Sequence, residues 1–126
     1  MARKQSPALT DVEAEVMAVL WRSRQASVND VVAAMKMKKT RAVNYSTIQT
    51  ILRILETKGY VTHDKVARAF VYQPVVDERQ ARRRALRHLV GRLFEGSPSL
   101  LVLNVLEDDE IDPAEREQLR KLVERA

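Results

Sequence analysis

Cysteine is absent from all 126 residues of the sequence. That removes disulfides, thiol nucleophiles and cysteine-based metal sites together, and it fits a reducing compartment. Glycine occurs three times, too rarely for a glycine-rich phosphate loop. The two histidines, His63 and His88, belong to no metal-ligand spacing such as H-E-x-x-H, and nothing singles out a catalytic pair among the 17 acidic residues. No cofactor motif and no metal site is read, and a protein that is not an enzyme is expected. Aromatic residues make up 5% of the chain, which argues against a base-stacking platform for single-stranded nucleic acid. The basic start, residues 1–7, is not followed by an apolar stretch, and no run approaches the roughly 20 apolar residues of a membrane span. Neither a secretion signal nor an anchor is expected, and the cytoplasm is the expected compartment.

What is present is a core's worth of apolar residues, 45%, and a charge that is unevenly placed. The length fits one compact unit or a small domain with an appendage. The net charge is +5, but residues 1–92 hold 18 of the 22 basic and 8 of the 17 acidic residues, a balance of +10. Residues 93–126 carry −5. A basic front followed by an acidic tail points to a polyanion-binding domain joined to something with another task.

The most informative stretch is residues 44–59. At a period of 3.6, Ile48, Ile51, Leu52 and Leu55 form one apolar stripe, and Ser46, Gln49, Thr50, Arg53 and Thr57 point away from it. A solvated helix face would ordinarily carry Lys and Glu. Short hydroxyls, an amide and one guanidinium are what a helix needs to lie close in a DNA major groove and bond to base edges.

The surrounding pattern supports that reading. Thr10 and Glu13 form a capping box that opens a first helix, with Val12, Val16, Met17, Val19 and Leu20 on one face and Trp21 closing it as a core anchor. Ser27 and Asp30 open a second helix with Val28, Val31, Val32 and Met35 apolar. Residues 36–41 read as a basic loop. Ser46 and Gln49 repeat the capping signal for a third helix, which ends at Gly59. Residues 60–63 and 69–73 are β-prone, residues 64–68 form the turn between them, and Pro74 stops the second strand. Three short helices followed by a hairpin make a winged helix-turn-helix.

From Asp77 the chain turns helical again. Apolar residues recur at helical spacing over residues 78–94, opposite an arginine cluster spanning Arg79 to Arg92. Gly96-Ser97-Pro98 breaks that helix, residues 100–106 form an apolar run, and Asp112-Pro113 starts a last helix. This tail has too few apolar residues to enclose a core alone, so a second copy of the chain is the expected cover. The expected interface residues are Leu86, Leu89, Leu93 and Leu100, with Leu103, Leu106, Leu119 and Leu122 further on. The expected architecture is mostly α with a small β-hairpin wing. Residues 1–76 form the winged helix-turn-helix DNA-binding domain and residues 77–126 a helical dimerisation domain.

Residues 9–21 (LTDVEAEVMAVLW), 45–59 (YSTIQTILRILETKG) and 68–74 (RAFVYQP) together resemble the opening helix, the recognition helix and the end of the wing in the BlaI/MecI penicillinase-repressor family of bacterial transcription regulators. The resemblance covers most of the chain. It implies a homodimeric repressor on inverted-repeat operator DNA, in an antibiotic response. It also implies a membrane sensor-protease whose signal leads to cleavage of the dimer element between Asn and Phe of a Leu-Asn-Phe sequence. Here Leu103-Asn104-Val105 occupies that place: Asn104 matches and Val105 departs. Leu103 and Val105 read equally well as dimer core. Where the family tends to place Gly before the Arg of the wing turn, this chain has Ala67, which a positive φ would strain. Lacking the C-terminal cysteines of the copper-responsive branch, the chain cannot sense copper by thiolates.

The residues assigned to phosphate are Lys38, Lys39 and Arg41, the helix start at Ser46 and Thr47, and Arg68 on the wing. Thr50 and Arg53 are assigned to base edges, with Gln49 beside them. The arginine cluster is open between DNA, the acidic residues Glu107, Asp108, Asp109 and Glu110 of a partner chain, and plain solvation. His63 is read as a solvent-facing strand residue. The rival readings are a winged helix that binds protein and a repressor released by a small molecule.

Overall fold

The computed structural model describes residues 8–38 and 42–126. Lys39 and Arg41, two of the basic residues assigned to phosphate, lie outside the described residues. Element order is α1 (Asp11–Ser23), β1 (Ala26–Ser27), α2 (Val28–Lys38), α3 (Tyr45–Thr57), β2 (Val61–Val66), β3 (Ala69–Pro74), α4 (Glu78–Leu93), α5 (Pro98–Glu107) and α6 (Pro113–Arg125). The architecture is the winged helix-turn-helix with a helical C-terminal part.

Two capping boxes form as the sequence predicts. Thr10 and Glu13 bond to each other's backbone N–H at 3.2 and 2.9 Å, and Ser27 and Asp30 do the same at 3.0 and 3.1 Å. The third does not. Asn44, not Ser46, caps α3: its Oδ1 accepts from the Thr47 N–H at 2.9 Å. Asn is as strong a cap as Ser, and placing it at 44 lets Tyr45 begin the helix. At the far end, Gly59 with φ +85° closes a Schellman motif, with the Gly59 and Tyr60 N–H groups donating to Glu56 and Leu55 carbonyls.

Other boundaries also move. α2 runs on through Lys36–Lys38, which had been expected in the basic loop. β2 extends to Val66, because Asp64, Lys65 and Val66 pair with Val71, Phe70 and Ala69 and the backbone ladder outweighs weak local propensity. The turn shrinks to Ala67 and Arg68. A third strand, β1, pairs Ala26 with Tyr72 and Ser27 with Val71, giving sheet order β1-β3-β2. Two residues are too short to show a period, so β1 has no signature along the chain.

Ala67 takes φ +57°, the first of two turn positions and the sign expected of a type II′ hairpin. A left-handed non-glycine residue costs about 1–2 kcal/mol, of which glycine's larger unfolded-state entropy would return roughly half. Ala67→Gly is therefore expected to stabilise the fold by about 0.5–1 kcal/mol, read as a higher urea midpoint at unchanged slope. A lower midpoint would show that the turn is unstrained.

The chain forms two compact units, residues 1–85 and 86–126. The division falls inside α4 rather than at residue 76. The reason is local: Val76 and Ala81 join the core of the first unit, and Trp21 Nε1 donates to the Val76 carbonyl at 2.9 Å. That core gathers the apolar stripes of α1, α2 and α3, with Ile48, Leu52 and Leu55 fully buried. A buried ion pair crosses it. Lys58 Nζ lies 2.7 Å from Glu13 Oε1 and donates to the Ala8 carbonyl at 3.0 Å, with both side chains 6% exposed. In the second unit α5 packs on α6, yet neither helix has a buried residue.

Candidate nucleic-acid interface

Burial of Ile48, Ile51, Leu52 and Leu55 fixes the rotation of α3 about its axis. Ser46, Thr47, Thr50, Arg53 and Thr57 are consequently exposed, while Gln49 is half-buried at the edge of that face. The hydrogen bonds sort these residues by what they have left to offer. The Thr50 hydroxyl donates to the Ser46 carbonyl at 3.0 Å, and Thr57 does the same to Arg53 at 3.1 Å. Thr50 thus presents a methyl and an acceptor oxygen outward, suited to a thymine methyl or a base amino group. Both Thr47 donors, the backbone N–H and the hydroxyl, point at Asn44 Oδ1. Of the two residues expected at phosphate from the helix start, Ser46 is the one whose hydroxyl is not engaged with Asn44.

Arg53 has no ion-pair partner among the described residues, so all its donors face solvent or a ligand. Lys38 is exposed at the last position of α2, and Arg68 is exposed in the two-residue wing turn. Lys65 is exposed on β2 and was not among the expected residues. Nothing in a lone Lys beside a turn distinguishes it from ordinary surface charge.

Two residues carry a contact that the sequence did not suggest. Glu56, near the end of α3, holds His63 of β2: Nδ1 sits 2.8 and 2.9 Å from the two carboxylate oxygens. His63 is therefore half-buried rather than solvent-facing. Its ring packs edge-on against Phe70, centroids 5.0 Å apart, and tilted against Tyr72 at 5.2 Å. The Tyr72 hydroxyl is held above its ordinary pKa of 10.0 by burial first and the Glu56 charge second, while Arg53 pulls it down. Glu56 and Arg53 thus both lie within electrostatic reach of the same phenol.

The arginine cluster on α4 is partly occupied. Arg82 pairs with Glu78 at 3.3 Å, and Arg84 lies 5.3 Å over the Tyr60 ring. Arg79, Arg83 and Arg87 are exposed. Among the described residues no cluster of His, Asp and Glu could hold a metal, and no single helix is long and apolar enough to cross a membrane.

A family model described as penicillinase repressor matches residues 9–125. The chain is 34% identical to the penicillinase repressor of Bacillus licheniformis over 96% of its own length and 93% of that protein. It is 27% identical to the methicillin resistance regulatory protein MecI of Staphylococcus aureus, over 91% and 92% of the two chains. Its fold is similar to the solution structure of the DNA-binding domain of the repressor BlaI, with a TM-score of 0.51 and 37% identity. That match covers 62% of this chain and 93% of the domain.

Proposed function

The chain belongs to the penicillinase-repressor family, and from that membership we propose that it is a homodimeric transcriptional repressor that lays α3 of each copy into the major groove of one half of an inverted-repeat operator. The observation that carries the reading is the outward face of α3, uncharged apart from an unpaired Arg53, on the basic part of the chain. Arg53 and Thr50 read base edges. Lys38, Ser46 and Arg68 hold the backbone, with Lys39 and Arg41 adding charge from the same stretch of sequence. Repression is steric, because the bound dimer covers promoter DNA. The test is a gel shift on the DNA upstream of the chain's own gene against scrambled competitor, across a salt series. Preference for the upstream fragment and a steep fall in affinity with salt are expected. Equal affinity for both fragments defeats the reading.

Dimerisation is supported by what one copy leaves uncovered. Leu86, Leu89, Leu93, Leu103 and Leu122 are exposed in the single chain. Leu100, Leu106 and Leu119 are half-buried. An isologous interface through the second unit would cover them and place two α3 helices with the symmetry of an inverted repeat. Leu103→Asp is expected to weaken association at least tenfold, since a charge would have to be desolvated twice across the two-fold axis. Sedimentation equilibrium measures it. A wild-type chain that sediments as a monomer would exclude the dimer outright.

Induction by a membrane sensor-protease enters at the Asn104–Val105 bond. That bond lies within α5, and Asn104 Nδ2 donates to the Leu100 carbonyl at 2.8 Å. Cleavage there requires α5 to open first, because a protease needs extended backbone. Asn104 is exposed and Val105 half-buried, so a local opening of α5 suffices.

A further inference from the structure

Glu56 poses a problem for a DNA-reading helix. It stands three residues after Arg53, and residues three apart on a helix are neighbours. A carboxylate there would be drawn to the guanidinium and would repel phosphate. Among the described residues it does not pair with Arg53, the one cation of α3. Both of its oxygens are instead turned to Nδ1 of His63, at 2.8 and 2.9 Å. The imidazole is itself fixed: Phe70 and Tyr72 of β3 flank it, and the strand register sets His63 opposite Tyr72. The wing therefore carries the group that captures the one carboxylate of α3.

We propose that His63 is a positioning residue: by holding the Glu56 carboxylate to the wing, it keeps Arg53 unpaired and available to operator DNA. The inference rests on the reading of Arg53 given above. It makes the hairpin more than a second contact surface, because the wing sets where the carboxylate of the recognition helix is held. Without His63, Glu56 has Arg53 as its nearest cation on α3, and the guanidinium would be divided between carboxylate and base.

The test uses the full chain in four forms: wild type, His63→Ala, Glu56→Gln and the double variant. The readouts are the Arg53 Nε–H resonance, assigned by its loss in Arg53→Ala, and affinity for the upstream DNA fragment. In His63→Ala the resonance is expected to shift and affinity to fall about threefold, the scale of one exposed ion pair. Adding Glu56→Gln is expected to restore both, which a merely structural role for His63 would not allow. His63→Gln, which keeps a donor, should resemble wild type and guards against simple unfolding. An unmoved resonance in His63→Ala, or an affinity loss that survives Glu56→Gln, overturns the proposal. Should Arg53→Ala bind as well as wild type, the base-reading role fails and the proposal falls with it. The resonance would still report separately whether Glu56 turns to Arg53.

Discussion

Arg53→Ala is expected to cost roughly 1–3 kcal/mol of operator affinity per half-site, about 5- to 150-fold, while leaving affinity for random DNA within a factor of about two. The asymmetry follows from where the side chain stands. Ile51, Leu52 and Leu55 hold that turn of α3 against the core, so Arg53 projects from a rigid support. Its guanidinium has no ion-pair partner among the described residues, and a planar fork of donors matches O6 and N7 of guanine on two bonds. Random DNA offers mainly phosphate, for which one cation among many is a small part. Fluorescence anisotropy on operator and scrambled duplexes, at fixed salt, measures both numbers. Equal losses on the two duplexes would refute base reading and move Arg53 to the phosphate-binding set.

Lys58→Met is expected to destabilise the first unit by about 3–5 kcal/mol, the usual consequence of leaving one member of a buried pair without its partner. Lys58 and Glu13 are each 6% exposed, and their 2.7 Å contact joins the end of α3 to the start of α1. Removing the ammonium takes the cationic donor away from the buried Glu13 carboxylate. Glu13 has a second duty, because its side chain also closes the capping box on Thr10. The double change Glu13→Leu, Lys58→Met should recover most of the loss, since an apolar pair of similar volume leaves no charge unmatched. Urea unfolding of the three variants decides it. A single variant within about 1 kcal/mol of wild type would show that water reaches the pair and screens it.

The two variants separate two kinds of contribution. Arg53 is expected to alter DNA recognition at constant stability. Lys58 is expected to alter stability, with DNA affinity falling only as the folded fraction falls.

Much of this was legible along the chain. The stripe of Ile48, Ile51, Leu52 and Leu55 decided which face of α3 looks outward, since side-chain period follows from helix geometry alone. The Thr10–Glu13 and Ser27–Asp30 boxes and Gly59 marked helix ends, because capping acts over three or four residues and is written within that span. Ala67 was marked as a misfit for its turn by residue type. The resemblance carried by residues 9–21, 45–59 and 68–74 gave the family.

The folded structure decided what depends on residues far apart in sequence. The Ser46–Gln49 pattern placed the cap of α3 two residues late, and the folded chain uses Asn44 instead. β1 exists only because Tyr72 and Val71 of β3 lie beside Ala26 and Ser27. His63 read as a solvent-facing strand residue, and nothing along the chain paired Lys58, until closure of the chain brought Glu56 to the one and Glu13, 45 positions away, to the other. A charge's partner is a property of three-dimensional distance, and Coulomb attraction falls off with that distance and with exposure to water. Periodicity and capping have no such dependence, which is why the sequence alone displays the outward face of α3 and the tertiary structure alone shows that the Glu56 carboxylate meets His63.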